Sequence, residues 1–378
     1  MNFIPSPYPA VECRLDILRS NVAQITQRCH AAGIQVAGVI KGVNGRYPLA
    51  KQFELGGCDQ IASSRLEQIY EAKKANLRGP FLLVRIPMLS EVPNVVRLCD
   101  ITLASEPALL SALNEECLQQ GKRLKVILMA DLGDLREGFW NRSDLVETAL
   151  YMENNLSGLE LAGVGTNLGC YGSIRPTVEK MNELVEAAEA VESAIGRQLT
   201  WISGGATSSY VLVNDGVMPE RINHLRIGEN ILLARDLQTD WGIGTMKYLR
   251  MDAFTLKAEV IEVKEKPSHP VGEIFMDAFG NFPTYTDRGM RRRALLGLGK
   301  LDLGDIHKLL PKDAGIEVLG GSSDHTILDI QDVTTPLKVG DLVEFDLNYS
   351  TLLFLTSSKS VTLRYFDGER EVAEGEAL

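Results

Sequence analysis

Three features with chemical potential lie at or beside apolar runs in the first two thirds of the chain. Lys41 comes directly after the run Val36–Ile40, the loop Gly204–Ser209 follows a second run, and Arg226 lies in a third. An ammonium at the end of a buried strand is partly desolvated, which lowers its pKa and frees the amine for Schiff-base chemistry. A single lysine in this position more often extends its ammonium to solvent, so the other two features decide between these interpretations.

The loop Gly204–Ser209 reads Gly-Gly-Ala-Thr-Ser-Ser, and a helix is predicted directly after it. Backbone N–H groups, hydroxyls and a helix N-terminus together bind phosphate well, although a helix-capping turn has the same composition. No Gly-Lys-Ser or Gly-Lys-Thr follows, which excludes a P-loop. A reactive lysine, a phosphate site and a partner for the pyridine nitrogen are the requirements of pyridoxal 5'-phosphate. Lys41, this loop and Arg226 together therefore predict a site for that cofactor.

A barrel would bring these features together, and residues 11–240 have the required pattern. Short, almost entirely apolar runs alternate there with amphipathic helical stretches such as Leu15–Ala32. The runs predicted as strands are Val36–Ile40, Gln60–Ala62, Phe81–Val84, Ile101–Ala104, Val126–Met129, Leu161–Val164, Leu199–Ile202 and His224–Ile227. Eight strand–helix repeats in about 220 residues predict the α/β class and a TIM (β/α)8 barrel. The active site of such a barrel lies at the C-terminal ends of its strands.

The remainder of the chain, residues 241–378, has a different pattern. Runs such as Leu256–Val263 alternate apolar and polar residues with a period of two, and glycines and prolines separate the runs. This pattern predicts an antiparallel β domain. Residues 1–10, which include three prolines, are too short for a domain of their own and are assigned to the β domain.

Composition and charge exclude several classes of protein. The 378 residues include 39 Lys and Arg against 50 Asp and Glu, and the net charge of −11 argues against nucleic acids and acidic membranes as partners. No apolar run approaches about 18 residues, and the N-terminus lacks the pattern of a signal peptide. Six scattered cysteines without a CxxC pair, and five histidines without an HExxH motif, predict free thiols and no metal site. We therefore expect a cytoplasmic protein.

Six longer motifs are similar to those of one enzyme family. They are Arg85–Glu91, Asp131–Gly138, Gly165–Gly172, Leu225–Glu229, Met276–Asn281 and Ser322–His325. Through them the chain resembles the alanine racemase-like, fold-type III pyridoxal-phosphate enzymes, and within these the ornithine racemase group. The motifs span both halves of the chain. The resemblance implies a barrel plus a β domain, and a head-to-tail homodimer in which the β domain of one subunit completes the active site of its partner.

The resemblance also assigns roles to individual residues. Lys41 matches the lysine that bonds covalently to the cofactor, and Arg226 matches the arginine at the pyridine nitrogen. Asn167 stands where alanine racemases have a histidine over the ring. Arg136 matches the arginine near the phenolic oxygen of the cofactor and the carboxylate of the substrate. The residues matched to the surroundings of the cofactor phosphate are Thr207, Ser208, Ser209 and Tyr349.

Two departures from the family leave the second acid/base open. The catalytic tyrosine that alanine racemases have on the β domain is missing, and Gly299-Lys300-Leu301-Asp302 stands in its place. The loop after Lys41 reads Val43-Asn44-Gly45, where ornithine racemase-like chains tend to have a cysteine. For the acid/base that acts with Lys41, we rank His325 and Asp324 first and Lys300 next, all supplied by the partner subunit. The residues predicted to bind the substrate are Arg136, Ser323, Asp324 and Lys300.

The predicted reaction is the interconversion of L and D amino acids by two-base proton transfer at Cα. The resemblance favours a basic substrate, ornithine or lysine, and loss of the bulky tyrosine would widen the site. A distal ammonium needs a carboxylate partner, and the candidates are Asp134, Glu137, Asp277 and Asp302. The alternatives are a broad-specificity or alanine/serine racemase, a fold-type III decarboxylase, a D-amino-acid aldolase or dehydratase, and a non-catalytic pyridoxal-phosphate-binding protein.

Overall fold

The chain forms two compact units, and it passes from one to the other after Arg14, after Met251 and after Ala373. The computed structural model describes Ile4 and residues 6–376, and residues 1–3 and 5 of the predicted N-terminal segment lie outside this range. Among the described residues, one unit holds 15–251 and 374–376, and the other holds 6–14 and 252–373. The divisions predicted from the sequence lie after residues 10 and 240. The second division lies later because Arg250 is tied to the first helix of the barrel unit, where its N–H donates to Asn21 Oδ1 at 2.9 Å.

Strand β1 (Ala10–Arg14) belongs to the β unit, and the next eight strands form a barrel. They are β2 (Gln35–Val39), β3 (Gln60–Ser63), β4 (Phe81–Leu83), β5 (Ile101–Ala104), β6 (Leu124–Met129), β7 (Leu159–Gly165), β8 (Trp201–Ser203) and β9 (His224–Ile227). The strands are parallel, and β9 pairs with β2, with His224 opposite Gln35, which closes the barrel. The predicted TIM barrel is confirmed.

Side chains that alternate along the strands fill the interior of the barrel. Ala37 and Val39 of β2, and Ile101 and Leu103 of β5, belong to one buried cluster. Its other buried members are Ala62, Leu82, Ile127, Met129, Ala162 and Trp201. Ala37 and Val39 are two residues apart, as are Ile101 and Leu103, because successive side chains of a strand point to opposite faces. Because the interior is packed, we expect the site at the C-terminal ends of the strands and in the loops that follow them.

Helices connect the strands of the barrel. They are α1 (Leu15–Ala31), α2 (Tyr47–Leu55), α3 (Leu66–Lys74), α4 (Val92–Leu98), α5 (Pro107–Gln120), α6 (Arg142–Asn155), α7 (Val178–Ile195), α8 (Tyr210–Asn214) and α9 (Glu229–Leu232). The predicted apolar face of α1 is buried, and it includes Leu15, Leu18, Val22, Ile25 and Cys29. In the part of the chain that the structure describes, no helix combines the length and the apolar character needed to cross a membrane.

The second unit is built on a sheet that confirms the predicted antiparallel β domain. Its strands after β1 are β10 (Phe254–Pro267), β11 (Met290–Leu296), β12 (Leu310–Pro311), β13 (Glu317–Gly321), β14 (Thr326–Asp329), β15 (Leu342–Asp346), β16 (Thr362–Asp367) and β17 (Arg370–Val372). The same unit contains helices α10 (Lys300–Leu303) and α11 (Tyr349–Ser357). Strand β10 pairs antiparallel with β1, β11 and β15. Strand β1 also runs parallel to β16, with Ala10 opposite Thr362, so residues 10–14, which precede the barrel, belong to this sheet.

Candidate active site

Lys41 lies directly after β2, in a short 3-10 turn that ends at Val43. Its side chain is partly buried, and this burial lowers the pKa of the ammonium. The charges around it act in both directions, because Cys170 and Glu137 raise the pKa and Arg136 lowers it. Since burial is the largest of these effects, the amine loses its proton more readily than an exposed lysine does. A neutral amine is the form that attacks a carbonyl or accepts a proton.

The loop between β6 and α6 supplies a charged pair close to this lysine. The guanidinium of Arg136 donates two hydrogen bonds to the carboxylate of Glu137, and Cys170 is among the nearby groups that raise its pKa. The bonds to Glu137 are the main reason why the pKa of Arg136 is raised above its ordinary value. Arg136 is therefore a permanent cation, and its side chain is partly exposed. A planar cation of this kind is suited to bind the carboxylate of a substrate.

A buried carboxylate anchors the loop after β7. Asp134 is only 1% exposed. Its carboxylate accepts hydrogen bonds from the backbone N–H groups of Gly169 at 3.1 Å, Cys170 at 3.3 Å and Tyr171 at 3.1 Å. Hydrogen bonds to an ionised acceptor are stronger than those between neutral groups. This anchor holds the Cys170 thiol at the ends of the barrel strands.

The loop after β8 contains a buried hydroxyl without a partner. Ser209 is fully buried, and its Oγ has no hydrogen bond within the described protein. Gly205 has a φ of +115°, and a Cβ at this position would lie 2.6 Å from Ser209 Oγ. Only glycine fits there, because the conformation is one that L side chains rarely adopt and because the hydroxyl leaves no room. The loop therefore brings its backbone close to a polar group that lacks a partner.

The other two hydroxyls of this loop have partners inside the protein. Thr207 Oγ1 accepts from the N–H of Asn230 at 3.3 Å, and Ser208 Oγ donates to the carbonyl of Leu168 at 2.8 Å. The predicted helix is present as α8, but it has only five residues. Phosphate binding at this loop would therefore depend on Ser209 and on the loop backbone more than on a helix terminus.

Arg226 is buried in β9, with 4% of its surface exposed. Its Nη1 donates to Ser203 Oγ, and its Nη2 donates to the carbonyl of Thr166 at 2.6 Å. Burial lowers the pKa of Arg226 to about 10, so the guanidinium remains a cation at neutral pH. The two bonds use two of its five N–H hydrogens. The remaining donors are available to a ligand with an acceptor at this position.

The residues around these strand ends fit pyridoxal 5'-phosphate. Thr166 Oγ1, Asn167 Nδ2 and Ser209 Oγ are buried without a hydrogen-bond partner in the described protein. Buried polar groups are nearly always hydrogen-bonded, so each of these atoms indicates a group that a ligand would supply. A phosphorylated pyridine with a phenolic oxygen offers such acceptors. Lys41 follows β2, and Arg226 lies in β9, the strand paired with β2. The covalent anchor and the donor to the ring nitrogen would therefore come from adjacent strands.

The structure brings four of the predicted residues of the β unit together at the start of α10. The N–H of Lys300 donates to the carbonyl of Ser322 at 3.0 Å, and this bond ties α10 to the turn before β14. In this turn the hydroxyl of Ser323 donates to the carboxylate of Asp324. Ser322 Oγ lies 3.3 Å from Nδ1 of His325. Asp324 and His325 are exposed, so both can be reached by a ligand or by another chain.

Two predicted residues of the β unit have neighbours that define their environment. Lys300 Nζ lies 3.6 Å from the centre of the Phe279 ring, which is the distance of a cation–π contact. Tyr349 is the first residue of α11, where Asn348 Oδ1 caps the helix by accepting from the N–H of Thr351 at 3.1 Å. Both residues belong to the β unit, whereas Lys41 and the residues grouped with it belong to the barrel unit.

The expectation that four carboxylates are available to a distal ammonium is wrong for two of them, Asp134 and Asp302, which are buried and hydrogen-bonded within their own units. Asp134 accepts from the loop after β7, as described above. For Asp277, which is only partly buried and whose Oδ1 accepts from the N–H groups two and four residues later at 2.8 Å each, it stays a prediction. Asp302 is buried and accepts from Ser358 Oγ at 2.7 Å. Glu137 is the candidate that lies among the charged groups of the barrel site, where it is paired with Arg136.

Thr166, Cys170 and Ser203 contribute to the site, although they were assigned no role from the sequence. Each lies at the end of an apolar run or in the loop after it. The rule that barrel sites lie at the ends of strands would have selected them. Their partners were not visible in the sequence because the partners come from other strands and loops.

A parallel barrel with an amine of lowered pKa at a strand end is a scaffold for an enzyme that uses a reactive lysine. Comparison with known families identifies which one. Residues 13–235, more than half of the chain, match the family described as alanine racemase, N-terminal domain. The chain belongs to this family, whose enzymes use pyridoxal phosphate. The resemblance proposed from the sequence motifs is thereby confirmed.

The relatives of the chain are amino-acid racemases. The chain is 39% identical over 362 residues to the ornithine racemase of Acetoanaerobium sticklandii, and the matched region covers 96% of this chain and 99% of that protein. It is 37% identical over 358 residues to the lysine racemase of Thermotoga maritima, with 95% and 98% covered. Among solved structures, an alanine racemase of Clostridium difficile 630 matches with a TM-score of 0.72 and 18% identity, covering 99% of this chain and 98% of that one. This last match shows that the fold is shared.

Proposed function

We propose that the protein is a pyridoxal 5'-phosphate-dependent racemase that interconverts the L and D forms of a basic amino acid, ornithine or lysine. The observation that carries this proposal is the identity to an ornithine racemase and a lysine racemase over nearly the whole of each chain. The barrel site is compatible with it, because an amine of lowered pKa, two guanidinium groups and unpartnered buried donors lie at the ends of the strands.

Three residues of the barrel would perform or support the chemistry at Cα. Pyridoxal 5'-phosphate, when bound, acts as an electron sink that makes the Cα hydrogen of an amino acid acidic. Lys41 would hold the cofactor covalently, and its Nζ would take up or return the proton on one face of Cα. Arg226 would donate to the ring nitrogen. Because Arg226 keeps its own proton at neutral pH, the ring nitrogen would stay unprotonated. Arg136 would bind the carboxylate of the substrate.

The remaining predicted residues would orient the cofactor. Ser209, with Thr207, Ser208 and the backbone of their loop, would hold the phosphate, and Tyr349 of the β unit is proposed as a further contact to it. Asn167 would face the ring, where its unpartnered Nδ2 can donate to an acceptor.

The second acid/base is proposed to come from the β unit of the other subunit in a homodimer. His325 and Asp324 are ranked first; both are exposed, and histidine is the side chain that most often serves as a general acid or base. Lys300, whose N–H is bonded to the same turn, is ranked next. Ser323 and Lys300 would contact the substrate together with Asp324.

Kinetic constants on a panel of amino acids test the reaction and its substrate. The holoenzyme is incubated with L-ornithine, L-lysine, L-alanine and L-serine, and the products are separated by chiral chromatography. We expect the D enantiomer as product and the highest kcat/KM for ornithine or lysine. A higher kcat/KM for alanine or serine would overturn the substrate assignment and leave the racemase reaction standing. Release of carbon dioxide and an amine would instead identify a decarboxylase.

Mixing of inactive variants tests the shared site. Lys41→Ala and His325→Ala change different units, so a hybrid dimer would contain one intact site and should recover part of the activity. Lys41→Ala mixed with Arg226→Ala is the matched control, because both changes lie in the barrel unit and no hybrid would have an intact site. No recovery in the first mixture, despite demonstrated subunit exchange, would contradict the shared site or the role of His325.

A further inference from the structure

Behind Arg226, inside the barrel, hydrogen bonds run through side chains that the proposed mechanism does not use. Arg226 Nη1 donates to Ser203 Oγ. Ser203 Oγ lies 2.7 Å from Nδ1 of His224, and Nε2 of His224 lies 3.3 Å from Oε1 of Gln60. All four side chains are buried, and both Ser203 and His224 are fully so. A continuous chain of polar groups therefore connects a residue at the site to the core of the barrel.

The direction of each bond follows from the hydrogens that the groups possess. An arginine can only donate, so Ser203 Oγ accepts from Arg226. Gln60 presents an oxygen to Nε2 of His224, so this nitrogen must have a hydrogen. A neutral imidazole has one such hydrogen, which leaves Nδ1 as the acceptor for the hydroxyl of Ser203. All three bonds are then donated in the same sense, away from Arg226, and bonds aligned in this way strengthen one another.

The hydrogen-bond chain from Arg226 to Gln60 requires a neutral His224. Burial lowers the pKa of this histidine to about 3, and the positive charge of Arg226 is the second cause. The other groups that face the ring are neutral, namely Ser203, Gln60 and the indole of Trp201, whose ring centre lies 5.6 Å away. A protonated ring would have a hydrogen on both nitrogens, so Nδ1 could no longer accept from Ser203. It would also bury a second cation close to Arg226.

We infer that Ser203 and His224 are positioning residues, which hold the guanidinium of Arg226 in one orientation and direct its remaining donors at the ring nitrogen of the cofactor. The identity of the ligand rests on the proposed function, whereas the hydrogen-bond chain does not. The carbonyl of Thr166 supports the other terminal nitrogen, at 2.6 Å from Nη2. Two supports on different nitrogens fix the plane of the guanidinium, and a single support would leave it free to rotate.

The protonation state of His224 is tested first, on the protein without cofactor. Nitrogen NMR of histidine-labelled protein distinguishes the two neutral tautomers from the cation. We expect His224 to have a hydrogen on Nε2 only, from pH 8 down to pH 5. In Ser203→Ala this preference should weaken, because Nδ1 loses its donor. A cationic His224, or a hydrogen on Nδ1, would overturn the inference whether or not the protein binds the cofactor.

The effect on the site is tested with the reconstituted holoprotein. Ser203→Ala should weaken the affinity for pyridoxal 5'-phosphate about tenfold, as expected when a hydrogen bond to a charged group is lost. It should also shift the visible absorption maximum of the bound cofactor, which a purely structural role would leave in place. Ser203→Thr, which keeps the hydroxyl, should restore both properties. Thr102→Val is the matched control, since it removes a buried hydroxyl of β5 that bonds to the carbonyl of Leu103 and not to this chain.

The outcomes separate the two proposals. An unchanged affinity and spectrum in Ser203→Ala would overturn the positioning role, as would an equal effect of Thr102→Val. A wild-type protein that does not bind pyridoxal 5'-phosphate would overturn the proposed function. In that case the NMR measurement still decides whether the hydrogen-bond chain exists as described.

Discussion

Acid should destabilise the protein through one buried side chain, His224, and replacing this residue should remove the effect. The pKa of His224 is about 3 in the folded protein, against an ordinary value of 6.5, chiefly because the ring is buried. The folded state therefore binds a proton at this position less readily than the unfolded chain does. The resulting stabilisation is fully present above pH 6.5 and is lost as the pH falls from 6.5 toward 3.

The size of the effect follows from the difference between the two pKa values. At pH 4.5 the unfolded chain has taken up a proton at this position and the folded protein has not. Well below pH 6.5 each pH unit costs about 1.4 kcal/mol, so the free energy of unfolding falls through this residue by about 2 kcal/mol between pH 6.5 and pH 4.5 and by about 3 kcal/mol between pH 7.5 and pH 4.5. In His224→Asn the amide cannot titrate, and this part of the acid sensitivity disappears.

Urea unfolding at a series of pH values from 4.5 to 7.5 measures the effect. His224→Asn should be less stable than the wild type at pH 7.5, because the hydrogen-bond chain is disturbed. The difference in the free energy of unfolding between the wild type and His224→Asn should narrow by about 3 kcal/mol from pH 7.5 to pH 4.5. His307→Asn, a change at an exposed histidine of the β unit, should not narrow it in this way. If the free energy of unfolding depended on pH in the same way in the wild type and in His224→Asn, His224 would not be the source of the acid sensitivity.

Three further predictions concern groups around the same strand ends. Asp134→Ala should lower the free energy of unfolding by about 3 kcal/mol, because three backbone donors lose a charged acceptor. Hydrogen exchange in the loop after β7 should become faster in this variant, and unchanged exchange would contradict the prediction. Gly205→Ala should cost about 1–3 kcal/mol and weaken cofactor binding, because its φ is +115° and a Cβ would crowd Ser209. Gly216→Ala, also at positive φ but with open space around it, should leave binding unchanged in the same titration. Burial and a neighbouring carboxylate raise the pKa of Glu229, so its stabilising contribution is present below pH 4.5 and is lost as the pH rises through the raised value. The free energy of unfolding measured with urea should therefore fall less between pH 5 and pH 8 in Glu229→Gln than in the wild type. An equal fall in both proteins would count against a raised pKa of Glu229.

The barrel could be predicted because its strands are buried on both faces and appear as unbroken apolar runs. Ile101–Ala104 has the same bounds in the prediction and in the structure. Lys41 and Arg226 were found for the same reason, since a charged residue at such a run stands out. The β unit was recognisable from the period-two alternation of β10, which is buried on one face over its first half.

The partners of side chains could not be predicted, because they are distant in the sequence. Asp134 has the appearance of an available carboxylate, yet the first backbone N–H group that it binds, that of Gly169, lies 35 residues later. Strand β1 is similar, since nothing in its five residues shows that Ala10 lies opposite both Lys257 and Thr362. The neutral state of His224 depends on three residues from other positions of the barrel, so no local pattern indicates it.

The most direct test of the central claim is to identify the residue that holds the cofactor. The protein is incubated with pyridoxal 5'-phosphate, the bond is reduced with borohydride, and the labelled peptide is identified by mass spectrometry. We expect one label, on Lys41, which is lost in Lys41→Ala and kept in Lys125→Ala. Lys125 is a lysine of β6, and its Nζ lies 5.4 Å from the ring centre of Trp201. A label on a different lysine, or wild-type protein that takes up no label, would contradict it.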